Sequence, residues 1–376
     1  MLFHPYELAF CGYSGSGKTM LATAVVRHLA GKHTVGYYKH GCHHFDIDRE
    51  GKDSDLAASA GAVTVMVSGP GKKAVISHAP PEPADFERFA FSSCDILIVE
   101  GLKELPIPKI ILVDEGKKIL ERIEEGSVSM VAALAVPDDP SSYRLPSLPG
   151  VPVFHRDETA AVASFVEQHL MERAAVSAPL TGLVLAGGKS SRMGEDKALI
   201  DYHGTSQILH ARNLLAPFCR EVHLSCRIEQ AEKYAASGIP LIPDSYLDMG
   251  PLGGLLSAQR ALPERAFLVV ACDLPFLDAG TLGKLVAGRN PFRFATAWRD
   301  PLSGRFEPLA ACYEPKSREP LLLRHAAGLN ALSGFLATTG IEELESPEPD
   351  IMKNINTPGE RSRAAMAFSG TKNTRQ

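Results

Sequence analysis

Short apolar runs alternate along most of the chain with stretches whose apolar residues recur every three or four positions. Runs of the first kind read as strands and stretches of the second as helices. Their alternation is the signature of parallel βαβ units, with each sheet covered on both faces. In the first half, strands are predicted near residues 7–11, 34–39, 63–67, 95–99, 110–113 and 130–136. Leu21, Ala24, Val25 and Leu29 recur at helical spacing behind the first of these. Residues 137–150 are rich in Pro, Ser and Asp and resemble a boundary, yet Val151 to Phe154 reads as one more strand. Asp157 can then cap a helix carrying Val162, Phe165, Val166 and Leu170. This strand and helix complete a first domain over residues 1–174. Residues 173–180, Ala-rich and without an apolar period, are the expected linker. A second strand and glycine loop open at Thr181, so a second domain is expected over residues 178–376. The fold class is α/β, with two doubly wound, mostly parallel-sheet domains. The polar tail after Ser369 is expected to fray.

Composition narrows the function classes. At roughly 100–200 residues per domain, 376 residues suit two domains. Hydrophobic residues make up 45% and charged residues 22%, so each half can bury a core. The net charge of -5 and a pI near 6.2 lack the basic excess of a nucleic-acid binder. Seven cysteines are scattered at 11, 42, 94, 219, 226, 272 and 312, with no Cys-x-x-Cys pair. Neither a disulfide framework nor a zinc ribbon is indicated, and a reducing, cytoplasmic setting is expected. Residues 1–10 show no basic region followed by an apolar stretch, and no run approaches the roughly 18 apolar residues of a membrane span.

Gly12-Tyr13-Ser14-Gly15-Ser16-Gly17-Lys18-Thr19 matches G-x-x-x-x-G-K-[ST] throughout, between an apolar strand and an amphipathic helix. Glycines there let successive backbone N–H groups face phosphates, and the helix N-terminus adds positive potential. Lys18 would neutralise the β- and γ-phosphates and Thr19 would ligate magnesium. The first domain is therefore expected to be P-loop NTPase-like, with Gly12, Ser14, Gly15, Ser16, Gly17, Lys18 and Thr19 on the nucleotide. Residues 95–101, Asp-Ile-Leu-Ile-Val-Glu-Gly, read as a buried strand ending in a carboxylate. Glu100 would sit in the ligand crevice, in the magnesium shell or positioning water; the alternative is a surface carboxylate at a strand end. His40, His43, His44 and Asp46 could hold a metal, or form a polar loop over the nucleotide. Gly51-Lys52-Asp53-Ser54 continues that loop and could touch phosphate.

Together with Val99-Glu100-Gly101-Leu102-Lys103, these segments make residues 5–172 resemble the MobB-type GTP-binding proteins of molybdopterin-guanine dinucleotide synthesis. The resemblance implies GTP binding, weak hydrolysis, an adaptor role and a homo-oligomer built through this half. No Asn/Thr-Lys-x-Asp guanine-reading motif occurs, so guanine preference is implied by the resemblance alone.

The second domain opens with Thr181-Gly182-Leu183-Val184-Leu185-Ala186-Gly187-Gly188-Lys189-Ser190-Ser191-Arg192-Met193-Gly194-Glu195-Asp196-Lys197. This is a strand, a glycine loop and a basic cluster, without the Gly-Lys-Ser/Thr of a Walker loop. Paired glycines let the backbone approach a nucleotide closely. Arg192 and Lys197 can straddle a triphosphate and stabilise departing pyrophosphate, or the segment is a solvated basic loop. Asp244 follows the apolar residues Leu241 and Ile242, and Asp273 follows the run 267–272. In an open parallel sheet both would face the glycine loop's crevice, where carboxylates can hold Mg²⁺. Gly250-Pro251-Leu252-Gly253-Gly254 turns into a helix and could border the base or the acceptor, whereas Asp248 reads as a loop residue.

Over residues 180–360, including Asn354-Ile355-Asn356-Thr357-Pro358, the chain is similar to the MobA-type molybdenum cofactor guanylyltransferases, a Rossmann-like nucleotidyltransferase fold. The resemblance implies that Leu185, Ala186, Gly187, Lys197, Ser225, Asp244 and Asp273 contact GTP. It makes Asp273 the magnesium ligand, and Lys197, Arg192 and Asp273 the catalytic set. Ser225 stands where Asn is usual in the family, and Glu307-Pro308-Leu309 replaces a Gln/Thr/His-Pro-hydrophobic segment. Ala186-Gly187-Gly188 stands where related cytidylyltransferases tend to show Ala-Ala-Gly, which favours guanine. The implied reaction transfers GMP from Mg-GTP to the terminal phosphate of molybdopterin. That phosphate is nearly dianionic at neutral pH, with a second pKa of about 6, and needs no general base. Molybdoenzymes or cofactor-insertion proteins would be partners. Two alternatives stay open: a cytidylyl- or sugar-nucleotidyltransferase, and a GTPase adaptor whose second domain is a non-catalytic cofactor-binding module.

Overall fold

A computed structural model describes residues 2–40, 49–77, 85–143, 147–187, 196–346, 351–355, 357, 359–363 and 366. The chain divides into two compact units, Met1–Leu170 and Met171–Gln376. The first contains β1 (Glu7–Cys11), β2 (Val35–Lys39), β3 (Thr64–Gly69), β4 (Lys72–Ser77), β5 (Ile96–Glu100), β6 (Lys109–Leu112), β7 (Val131–Val136) and β8 (Val153–His155). Six of these form one sheet in the order β2-β5-β1-β6-β7-β8, and every neighbouring pair is parallel. The central strands β1, β5 and β6 are buried at every position, as expected of a parallel sheet covered on both faces. Ala9, Cys11, Leu97, Val99 and Ile111 share one core with Ile119 and Ile123 of the helix Lys118–Glu124.

The second unit contains β9 (Leu180–Leu185), β10 (Val222–Cys226), β11 (Leu241–Pro243), β12 (Ala266–Ala271), β13 (Ala295–Arg299), β14 (Phe306–Tyr313) and β15 (Glu342–Glu345). Their order is β11-β10-β9-β12-β14-β13-β15. All pairs are parallel except those of β14 with β12 and β13. Alternate residues feed two cores. Leu183, Leu185, Phe267 and Val269 face one, which holds Leu252, Leu255 and Leu256 of the helix Pro251–Ala261. Val184, Leu268 and Val270 face the other, with Ile208, Leu215 and Leu282. This period of two, buried on both sides, explains the unbroken apolar runs of the sequence.

One expectation about elements is corrected. The run near 63–67 does not join the parallel sheet: β3 pairs antiparallel with β4 as a separate two-stranded sheet. The residues of this hairpin are exposed or half-buried, with none in the core. The segment read as the linker, 173–180, is helical through Ser177, as the last part of the helix Thr159–Ser177, and enters β9 at Leu180. Alanine has the highest helix propensity, so an Ala-rich stretch without apolar period still continues a helix. That helix starts at Thr159, two positions beyond the expected Asp157 cap. Among the described residues, Cys11, Cys94, Cys219, Cys226, Cys272 and Cys312 form no disulfide, and no helix is long and apolar enough to cross a membrane.

Candidate active site

In the second unit the chain runs from β9 outward to β10 and β11, then returns to β12 on the other side of β9. The strand order reverses there, which opens a crevice at the C-terminal ends of the strands. A cleft at this point is lined by Leu185, Ala186 and Gly187 after β9, Ser225 of β10, Asp244 after β11 and Asp273 after β12. Asp196 and Lys197 line it too, at the single 3₁₀ turn Lys197–Leu199.

Lys197 Nζ lies 3.6 Å from Asp273 Oδ2. The other oxygen, Asp273 Oδ1, is buried with no hydrogen-bond partner. Burial pushes the Asp273 carboxyl above its ordinary pKa, and Lys197 pulls against that. An orphaned carboxylate oxygen at a cleft suits a hard cation such as Mg²⁺, so the residues fit this ion. Asp244 accepts a hydrogen bond from Ser225 Oγ at 2.7 Å. Burial also raises the Asp244 pKa, with Ser225 and Arg227 opposing. Arg227 Nε donates to Gly187 O at 3.0 Å, which fixes the loop just after β9.

Two glycines in this cleft are required by close approach. A Cβ on Gly187 would stand 2.8 Å from Asp244 Oδ2, and one on Gly254 would stand 2.5 Å from Ser225 Oγ and 2.9 Å from Leu185 Cδ2. The helix Pro251–Ala261 can therefore lie against β9 and β10 only with glycine at this contact. Glu307 enters from β14. Its register pairs Val270 with Ala310, and continuing that ladder sets Glu307 across from Asp273. Burial, opposed by a hydrogen bond from Leu309 N and reinforced by the Asp273 charge, pushes the Glu307 carboxyl up to about 7. Ile355 N donates to Asp273 O at 3.0 Å, so the Asn354–Ile355 segment reaches the same strand end.

In the first unit the loop after β1 leads into the helix Lys18–Leu29, with Gly17 at its N-cap in the left-handed region. Thr19 Oγ1 donates to Glu100 Oε1 at 2.8 Å, Tyr37 OH donates to Glu100 Oε2, and Lys39 Nζ lies 3.3 Å from Oε1. Burial works against the charged form of Glu100, but the hydrogen bonds from Tyr37, Thr19 and Lys39 hold its pKa below the ordinary value. Lys18 Nζ donates to Tyr13 O at 2.7 Å, across the loop's own opening, and burial lowers its pKa.

Residues 182–343 match the MobA-like NTP transferase domain, and residues 7–135 match molybdopterin guanine dinucleotide synthesis protein B. A molybdenum cofactor guanylyltransferase of Pseudomonas paraeruginosa is 33% identical over 185 residues, covering 48% of this chain and 91% of that protein. The chain belongs to the molybdenum cofactor guanylyltransferase family. A molybdenum cofactor biosynthesis bifunctional protein of Synechocystis sp. is 33% identical over 180 residues, or 48% of this chain. That match spans about half of the relative's own length, 52%. The solved molybdopterin-guanine dinucleotide biosynthesis protein A of Archaeoglobus fulgidus is 25% identical, with a TM-score of 0.43, and covers 50% of this chain and 99% of that one.

In this guanylyltransferase-family chain, the cleft gathers Leu185, Ala186, Gly187, Lys197, Ser225, Asp244 and Asp273. At the P-loop, Thr19 meets Glu100 of β5 directly. Arg192, His43, His44 and Asp46 lie outside the described residues. Among the described residues no group of three or more His, Cys, Asp and Glu could hold a metal. Sequence reasoning passed over Asp196 and Cys272, which line the cleft beside Lys197 and Asp273. Their adjacency to those residues was the available signal. Arg227 gave none, because its contact with Gly187 arises only when β10 lies beside β9.

Proposed function

We infer that the chain transfers GMP from GTP to the terminal phosphate of molybdopterin, releasing pyrophosphate, and that its first unit binds a second GTP through the P-loop. The observation that carries this reading is the Lys197–Asp273 pair, 3.6 Å apart, at the switch point of a sheet whose neighbouring strand ends present Ser225 and Asp244. An oxygen of the acceptor phosphate forms a bond to the α-phosphorus of GTP. The bond from that phosphorus to the bridging oxygen breaks, and the electron pair leaves on pyrophosphate. The acceptor is already anionic, so the chain's task is positioning and charge neutralisation rather than proton removal.

Lys197 places its ammonium on the reacting phosphates, and Arg192 adds a second cation to the departing pyrophosphate. The backbone at Leu185, Ala186 and Gly187 lies along the nucleotide, with Ser225 and Asp244 at its base and ribose end. Asp273 would hold Mg²⁺, which when bound neutralises the triphosphate. In the first unit Gly12, Ser14, Gly15, Ser16 and Gly17 surround the phosphates, Lys18 neutralises their charge, Thr19 would ligate their magnesium, and Glu100 would stand in the magnesium shell or position a water. The deciding experiment incubates the purified chain with Mg²⁺, molybdopterin and either GTP or CTP. Pyrophosphate and a guanine dinucleotide should form from GTP. Product from CTP alone would make the chain a cytidylyltransferase, and none from either would leave the second unit a binding module.

A further inference from the structure

Asp196, which lines the cleft, has both carboxylate oxygens held by hydrogen bonds. Its Oδ1 accepts Ala198 N at 3.1 Å, and Lys233 Nζ donates to its Oδ2 at 2.8 Å. The phenol of Tyr234 reaches both oxygens, at 3.0 and 2.9 Å. Tyr234 is fully buried, with its ring in the same core as Ala198, Cys226 and Ala271. A buried tyrosine hydroxyl needs a partner, and this one is oriented. Gln230 Nε2 donates to the phenol oxygen at 3.2 Å, which leaves the phenol proton for Asp196. Gln230 Oε1 in turn accepts Arg227 N at 3.2 Å. An unbroken chain of hydrogen bonds thus runs from the end of β10, through Gln230, Tyr234 and Asp196, to the backbone of the turn that bears Lys197.

We propose that Tyr234 is a positioning residue for guanylyl transfer, holding Asp196 so that the adjoining Lys197 is aimed at the reacting phosphates. The inference rests on the role of Lys197 proposed above. Lysine is a point charge on a flexible stem, so the place where its backbone is anchored decides where the ammonium can dwell. The anchor here is the side chain one residue earlier. Asp196 caps the turn, and its backbone oxygen also accepts Leu199 N at 3.0 Å. Lys233 has a separate effect. Its ammonium offsets the Asp196 charge, which would otherwise add to the repulsion of an incoming triphosphate. Tyr234→Phe removes one oxygen, keeps the ring in the core, and releases one of the three donors. A displacement of about 1 Å at such a site can cost on the order of 10²-fold in rate.

The test uses the full chain with Mg-GTP and molybdopterin, reading pyrophosphate release at saturation for wild type, Tyr234→Phe, Lys197→Ala and the double variant. Tyr234→Phe is expected to lower kcat roughly 10- to 10²-fold with KM for GTP little changed, and to cause no further loss in the Lys197→Ala background. Asp196→Asn should follow the same pattern, and decides the matter if Tyr234→Phe does not fold. Equal slowing by Tyr234→Phe in both backgrounds would make it a fold residue and overturn the inference, as would wild-type turnover. Wild-type turnover in Lys197→Ala would be a different failure, removing the proposed role of Lys197 and the inference with it.

Discussion

At the scale of single residues, Asp273 combines a salt-bridged oxygen, a buried orphan oxygen and a pKa raised chiefly by burial. The native fold disfavours its charge, and a cation would relieve that. Asp273→Asn keeps the shape and removes the charge. Turnover should fall about 10²–10³-fold, while the thermal midpoint of the metal-free protein should not drop. Turnover against Mg²⁺ concentration and melting without metal check the two halves; an unchanged magnesium requirement would shift attention to Asp244. Glu307 supplies a pH test. Its native carboxyl is pushed up to about 7, from an ordinary 4.5. Between those values the unfolded chain releases a proton that the native chain keeps, so stability from this group falls as pH rises and levels off above 7. Glu307→Gln should therefore gain on wild type in metal-free melting as pH rises through that window. A difference independent of pH would mean that Glu307 ionises normally. Lys197 and Asp273 were legible in sequence because each closes a recognisable local pattern. Glu307 was legible only as a departure from the family's segment, and Asp196 and Tyr234 were not singled out, since their placement comes from strand register and from the helix Ala231–Ala235 meeting the turn Lys197–Leu199.

At the scale of elements, strands buried on both faces announce themselves as continuous apolar runs, which is why β1, β5, β9 and β12 could be read directly. The miss at 63–67 shows the limit of that signal. β3 has the residue types of a strand, but its partner is β4 rather than the parallel sheet, and pairing is a tertiary property. The Ala-rich stretch before β9 carries no amphipathic period, yet helix propensity, with Ala174 buried, carries the helix through Ser177. Packing between elements also left a trace in the glycines of the helix Pro251–Ala261. Gly254→Ala would drive a methyl group against Ser225 Oγ and Leu185, at 2.5 and 2.9 Å. Overpacking of this kind commonly costs about 1–3 kcal/mol. Chemical denaturation should show a loss of that size. KM for GTP should also rise, because Ser225 holds Asp244. A neutral substitution would mean that the helix shifts freely, and that its closeness to β10 is not what places Asp244.

At the scale of the whole molecule, each of the two units builds a sheet with a glycine-bearing loop at a strand end, from unrelated glycine patterns. The P-loop of the first unit ends in Gly17-Lys18-Thr19 at a helix N-terminus, whereas the loop of the second delivers Lys197 from a 3₁₀ turn. In the proposed function the units hold separate nucleotides, and the proposed chemistry uses only the second. Lys18 makes this separable. Burial lowers its pKa, and its ammonium is held by Tyr13 O at 2.7 Å, inside its own loop. Lys18→Ala should abolish tight nucleotide binding by the first unit, because the β- and γ-phosphates lose their neutralising charge. Basal guanylyl transfer should persist, because the GTP consumed lies on Lys197 and Asp273. Equilibrium binding of a labelled GTP analogue should then show one class of site in the variant and two in wild type, with pyrophosphate release nearly equal. If Lys18→Ala stops transfer as completely as Asp273→Asn does, the nucleotide on the P-loop is required for the chemistry, and the two sites do not act independently.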